Sequence, residues 1–349
     1  MTAERTLKSA DELVAASLAD AAQAPMLHTV AARYTIAVTP TIASLIDRTD
    51  PHDPIALQFI PSAAELTTTD DERNDPIADG PHTPVKGIVH RYPDRVLLKA
   101  VHVCPVYCRF CFRREMVGPQ GDGILSGEEL DEAFAYIRDH AEIWEVILTG
   151  GDPLVLSSRR LQDIMLRLAD IPHVRVVRFH TRVPVVDPAS VTDALIAALK
   201  SSGKTTYLAL HANHPREMTE AARTACARLI DSGIAMVSQT VLLRGVNDDP
   251  DVLGALMRAF VETRIKPYYL HHPDLAPGTG HFRLTIEEGQ KLAAALRGRL
   301  SGLCQPVYVL DIPGGHGKAP IAESAIRRED DTYSVRDYHG VEHIYPPRG

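Results

Sequence analysis

Between about residue 96 and residue 311 the chain alternates short β-branched runs with helix-like stretches, and this pattern restricts its fold more than any other feature. The runs are VLLKAVHV, WEVILTG, VRVVRFH, TTYLALH, AMVSQTVLL, KPYYLHH and PVYVLD. A strand that must restart beside its predecessor in the same direction needs a crossover, and a helix supplies it. About seven such runs predict an α/β fold, a parallel barrel or open barrel with helices outside. SGEELDEAFAYIRDH and TIEEGQKLAAALRGRL each set a Ser or Thr before acidic residues, the pattern of a capped helix start. Residues 1–90 are irregular by comparison, with an amphipathic helix candidate over Ala10–Ala22 followed by Pro-studded acidic text. The reading divides the chain into an N-terminal, mostly helical or irregular region (1–90), a barrel (91–320) and a short C-terminal tail (321–349).

Lys and Arg number 37 against 45 Asp and Glu, a net charge of −8, so no global positive field exists to hold a nucleic acid. No stretch reaches the 18 or so apolar residues that cross a bilayer, and the N-terminus lacks the apolar core of a secretion signal. A cytoplasmic protein with no membrane partner is expected. Five cysteines, an odd number, argue against a disulfide framework. Cys226 and Cys304 stand alone and read as core thiols.

Barrel sites form on the loops leaving the C-terminal strand ends, so the residues closing each run matter most. They are Cys104, then Gly150, Gly151 and Asp152, His180 and Arg182, His211 and Asn213, Gln239, His271 with Asp274, and Asp311. A single polar residue there serves as well for a helix cap or a turn, and Asp152, His180 and Asn213 carry that alternative.

CPVYCRFC sets Cys104, Cys108 and Cys111 at a C-x3-C-x2-C spacing directly after a strand. Thiolates select soft metals, chiefly zinc or iron-sulfur. Closed structural zinc takes four protein ligands, whereas a cubane held by three cysteines leaves one iron open. Zinc with His102 or a distant histidine as fourth ligand is the alternative.

This motif, with Tyr107 before its second cysteine, resembles the signature of the radical S-adenosylmethionine enzymes. The resemblance implies a partial (β/α) barrel of six to seven parallel strands and a [4Fe-4S] cluster on Cys104, Cys108 and Cys111. It also implies that S-adenosylmethionine chelates the open iron and yields a 5′-deoxyadenosyl radical on reduction. Gly150, Gly151 and Asp152 look like the family's motif for the methionine amino group, and His211 and Gln239 match further cofactor positions.

PGGHGKAP fails the phosphate-loop pattern, since Ile312 stands where the first Gly is required and Ala319 replaces the Ser or Thr. A lysine presented on a flexible glycine loop suits a Schiff base with pyridoxal phosphate, the alternative being a solvated charge. HRYPDRVLL, YCRFCFRRE, GGDPL, HANHPRE, VLLRGVND, KPYYLHHPDL and PGGHGKAP together resemble the lysine 2,3-aminomutase family, in order, from about Pro84 to Pro320. The resemblance implies that Lys318 is the Schiff-base lysine, that Arg91, Tyr92 and Arg95 hold pyridoxal phosphate, and that Arg113 grips the substrate carboxylate. For the arginines a surface charge is the alternative.

Asp274 and Asp311 close consecutive strands, so both can enter one barrel mouth and attract a cation. They match the family's pair for the ε-ammonium of lysine, and two carboxylates facing the third carboxylate of glutamate would repel it. The expected activity is interconversion of L-lysine and β-lysine by a 2,3-amino shift. A radical enzyme of the same family acting on another amino acid, or without the shift, is the alternative. An external electron donor such as flavodoxin or ferredoxin is implied, and a homo-oligomer is possible. No cysteine follows Cys304, so an intersubunit zinc on a cysteine-bearing tail is not expected. The CRFCFRR text is also similar to the elongation-factor-P-associated lysine aminomutase.

Overall fold

The structure is a computed structural model and describes residues 5–117 and 123–346. Every β-branched run of the sequence is a strand. A hairpin of β1 (Ile88–Tyr92) and β2 (Arg95–Val101) leads into β3 (Glu145–Gly150), β4 (Val176–Thr181), β5 (Thr205–His211), β6 (Ala235–Val241), β7 (Lys266–His271) and β8 (Val307–Asp311), and β9 (Lys318–Pro320) turns back. The sheet order is β1 to β9 without rearrangement. All pairs from β2 to β8 are parallel, and β1 and β9 are antiparallel edges. The sheet curls until its edges meet through a side chain, the Lys318 N–H donating to the Tyr92 hydroxyl at 2.8 Å. This is the expected partial barrel.

Strand side chains alternate faces, and here the even-numbered residues pack outward while the odd-numbered ones face in. Val96, Leu98, Val146, Leu148, Val177, Phe179, Leu208, Leu210 and Leu270 belong to the hydrophobic core beneath the helices. Arg95, Leu97, Ile147, Thr149, His211, Gln239, Val241, Tyr269, His271 and Asp311 line an interior cavity. β4 alternates with the opposite parity, Arg178 and His180 facing in and Val177 and Phe179 packed out, and the even-numbered Tyr92 and Tyr268 also line the cavity, at register shifts in β1 and β7. The helix Ser158–Ala169 shows what covers the outside, burying Leu161, Ile164, Met165 and Leu168 at helical spacing. Each such side chain contributes about 1.5–3 kcal/mol on burial. Ser126 with Glu129, and Thr285 with Glu288, form reciprocal capping boxes at the two expected helix starts. Cys226 and Cys304 are buried in the same core.

The helix expected over Ala10–Ala22 ends at Ala15. Ser17 takes a left-handed φ of 56°, and the Ser17 and Leu18 N–H groups return to the carbonyls of Val14 and Leu13. That closure turns Leu18 back onto the core, so tertiary packing ends the helix where the periodicity would continue it. The segment then runs through short helices, Ala24–Arg33, Pro40–Leu45 and Pro54–Phe59, and binds the cysteine loop. Tyr107 N donates to Ala37 O and Arg109 N to Gln58 O. Beyond β9, residues read as a short tail contain a three-stranded antiparallel sheet of β10 (Ile326–Glu329), β11 (Thr332–Arg336) and β12 (Glu342–Tyr345). Among the described residues, no helix is long and apolar enough to cross a membrane.

Candidate active site

Loops leaving β2 and β3 come together first. Cys104, Cys108 and Cys111 line one pocket with Gly150, Gly151, Asp152, Thr181, Arg182 and His211. The glycines are dictated by contact with the β2 loop. A Cβ on Gly150, whose φ is +107°, would lie 2.7 Å from the Val101 carbonyl oxygen, and one on Gly151 would strike the Val103 backbone. Asp152 is a brace: it accepts from the Leu154 N–H at 3.0 Å, from Thr181 Oγ1 at 2.7 Å and from the Arg182 N–H at 2.7 Å, tying β3 to β4. Asn213 likewise ties β5 to β6 by accepting from the Val241 N–H at 2.9 Å. These two therefore fill the capping and bracing role open to them in the sequence. Burial raises the thiol pKa of Cys104, and that of Cys111 to about 11. His102 does not line the pocket. Among the described residues no three His, Cys, Asp or Glu side chains converge as ligands of a single ion.

The adjoining cavity has about 1050 Å³ of empty volume counting its open mouth, and its lining contains Arg91, Tyr92, Arg95, Arg113, Gln239, Asp274, Asp311 and Lys318. Phe112, Arg113, Thr149, His180 and His211 line both spaces, so the two are adjacent. Lys318 is the first residue of a strand rather than part of a flexible loop. Gly314, Gly315 and Gly317, all at positive φ, turn the hairpin and set Lys318 directly across from Asp311. The Lys318 ammonium donates to Asp311 at 2.5 Å, and His271 Nδ1 stands 3.4 Å from the other carboxylate oxygen. Asp311 is buried, but His271 and Lys318 more than offset that and hold its carboxyl well below the ordinary range. Asp274 moves the other way: burial and the neighbouring Asp311 charge push it up to about 7. His211 pairs across the ladder with Gln239, whose side chain bonds it, and burial lowers the imidazole to about 3. Burial also lowers His180 and His271, so all three rings are neutral at pH 7.

The radical SAM superfamily model matches residues 98–254. The L-lysine 2,3-aminomutase of Clostridium subterminale is 42% identical over 307 residues, 88% of this chain and 73% of that protein. The chain belongs to the lysine 2,3-aminomutase family. Another relative, the L-lysine 2,3-aminomutase of Acetoanaerobium sticklandii, is 40% identical over 88% of this chain and 74% of that protein. The glutamate 2,3-aminomutase of Clostridioides difficile is 36% identical over 89% of this chain and 73% of that protein. As a radical SAM aminomutase the chain is an isomerase, and the family implies S-adenosylmethionine and a [4Fe-4S] cluster.

The aminomutase site fits the groups its family implies. Three thiols line one glycine-walled pocket, and thiolates are the donors an iron-sulfur cluster takes. In the adjoining cavity, Arg91 Nε, His180 Nε2 and His271 Nε2 are buried without a hydrogen-bond partner. Orphaned donors and acceptors of this kind suit a polar ligand such as a phosphorylated pyridine.

Two acids that organise the aminomutase site were invisible in the sequence. Asp79, buried in the acidic N-terminal text, accepts from Arg91 Nη2 at 3.1 Å and from Arg113 Nε at 3.0 Å, and Lys99 lies 3.8 Å away. Despite burial, those cations lower its pKa. Glu65 ties down the cysteine loop in a similar way, pairing with both Arg109 and Arg114. Neither acid sits in a motif, and Asp79 falls in the Pro-studded acidic text of the N-terminal region. Tyr268, Tyr269 and Arg178 also line the cavity. Alternation was the available signal for Arg178 and Tyr269, whereas Tyr268 lines the cavity at a register shift that alternation does not contain.

Proposed function

We propose that this enzyme moves the amino group of L-lysine from C2 to C3, giving β-lysine, with S-adenosylmethionine, a [4Fe-4S] cluster on Cys104, Cys108 and Cys111, and pyridoxal phosphate on Lys318. The observation that carries the reading is that a single cavity is lined by the Arg113 guanidinium and by the carboxylates of Asp274 and Asp311. A zwitterionic amino acid with a distal ammonium matches it. Buried charge requires a partner, and an incoming ammonium offsets the burial and the Asp311 charge that together raise Asp274.

When bound, the cluster and S-adenosylmethionine supply a carbon radical and the pyridoxal ring a π-system for the migrating nitrogen. The chain itself does the placing. Arg113 binds the α-carboxylate in the fork geometry guanidinium favours. Asp274 and Asp311 hold the ε-ammonium, Arg91, Tyr92 and Arg95 hold the coenzyme, and Gly150, Gly151, Asp152, His211 and Gln239 surround S-adenosylmethionine. The shared wall of Phe112, Thr149, His180 and His211 sets the two reacting groups side by side and limits water. An external electron donor of the flavodoxin or ferredoxin kind supplies the electron, and the setting is cytoplasmic. A glutamate substrate, as in the Clostridioides difficile relative's name, would bring its side-chain carboxylate against two acids.

The test is anaerobic. Reconstituted enzyme with pyridoxal phosphate, S-adenosylmethionine and reductant is given carbon-13 lysine or glutamate and followed by NMR. β-Lysine alone supports the reading, deoxyadenosine without β-lysine retains only the radical chemistry, and β-glutamate overturns the substrate.

A further inference from the structure

Arg182 closes β4 beside the cysteine pocket and has no role in the placements above. Its side chain is 7% exposed. Nη1 donates to Cys108 Sγ at 3.0 Å, while Nη2 donates to Gln58 Oε1 at 2.9 Å and to Glu217 Oε2 at 2.5 Å. Phe59 and Phe110 lie 4.8 and 5.5 Å from the guanidinium carbon. Glu217, fully buried, is fixed in turn by the N–H groups of Asn213 and His214 at 2.9 and 3.0 Å and by Gln58 Nε2 at 3.2 Å. The guanidinium is thus clamped from two sides and aimed at one sulfur of the three.

A fork pairing with Glu217 alone would satisfy the buried charge. The contact with Cys108 is additional, and it has an electronic consequence. A cationic donor on a thiolate sulfur stabilises the form of a cluster that carries one more negative charge, and hydrogen bonds to sulfur and net local charge both set cluster potentials. We propose that Arg182 tunes the reduction potential of the cluster through its hydrogen bond to Cys108, with Glu217 orienting the donor and moderating its charge. The inference rests on the proposed assignment of Cys104, Cys108 and Cys111 as cluster ligands. The step it affects is transfer of one electron from an external one-electron donor to the cluster. The donor is oxidised by one electron, the cluster gains one negative charge, and no bond or proton changes place.

Arg182 is therefore a positioning residue, and its signature is a potential rather than a rate. The experiment is a redox titration of the reconstituted holoenzyme followed by electron paramagnetic resonance, on the native protein, Arg182→Gln and Glu217→Gln, each assayed first for iron and sulfide. Arg182→Gln is expected to be about tenfold less reduced at the native midpoint, a negative shift of about 59 mV for a one-electron couple. Glu217→Gln, close in shape to the native side chain, is expected to shift in the positive direction, because the guanidinium loses its counter-charge. A role in packing alone would not give opposite signs. If Arg182→Gln does not load a cluster, the sign from Glu217→Gln decides. Native midpoints in fully loaded variants, a negative shift in Glu217→Gln, or shifts of one sign in both overturn the inference while leaving the cluster assignment intact. A native protein that binds no iron and sulfide overturns both.

Discussion

Around Cys108 the protein matches its buried charges internally, Arg182 with Glu217, and Arg109 and Arg114 with Glu65. Around Lys318 the matching is incomplete: Asp274 is pushed to about 7 beside Asp311, and His180 and His271 each leave a buried ring nitrogen without a partner. The contrast separates two kinds of preorganisation. The cysteine end pairs its buried cations with acids of the chain itself, although Arg114 Nε and Arg182 Nε stay without partners, an arrangement that suits the proposed resident centre. The lysine end holds polar groups at a cost of burial that a bound ligand removes.

The most severe way to break this comparison is at the resident centre. Cys108→Ser should lose the cluster and with it all turnover, deoxyadenosine formation included, checked by iron content and by chromatography of the products. Lys318→Ala should separate the two ends. Reductive cleavage of S-adenosylmethionine continues while β-lysine formation is lost, and a variant that still made β-lysine normally would refute the coenzyme assignment. Smaller is the effect of Asp79→Asn, which releases Arg91 and Arg113 from their shared carboxylate. Charged hydrogen bonds of this kind are worth about 1.5–3 kcal/mol, so the KM for lysine should rise about tenfold or more in steady-state assays, with less change in kcat.

A pH series sharpens the contrast further. Asp274, raised to about 7, is protonated below that value and loses the charge that faces an ammonium. The KM for lysine should therefore rise as pH falls below 7, by up to about tenfold per unit. Asp274→Asn should weaken binding and abolish that dependence. The smallest expected effect is at the barrel seam, where Tyr92→Phe removes the acceptor of the Lys318 N–H. A loss of about 1 kcal/mol in stability, read from denaturant unfolding, is the expected result.

The strands and the inward set of side chains were legible because they follow from backbone geometry. Alternation of period two assigns Gln239, His271 and Asp311 to one side without knowledge of their neighbours. The capping boxes at Ser126 and Thr285 were legible for the same local reason. The helix over Ala10–Ala22 was misread because its end is set by Leu18 folding back on the core, a contact that periodicity does not contain. Lys318 was expected on a loose loop because glycines suggest flexibility. Here they serve a tight hairpin that holds the lysine in register with Asp311.

The sequence by itself determined the three-thiol spacing, the strand-helix order and the chemical types at the strand ends, since each depends on residues within a few positions of one another. Only the tertiary structure decided how the charges are shared. Asp79 meets Arg91 and Arg113 from 12 and 34 positions away, and Arg182 meets Cys108 across 74. Such pairs form because burial excludes water from charged groups and requires whichever partner packing brings within reach, and no local pattern in the chain records which one that is.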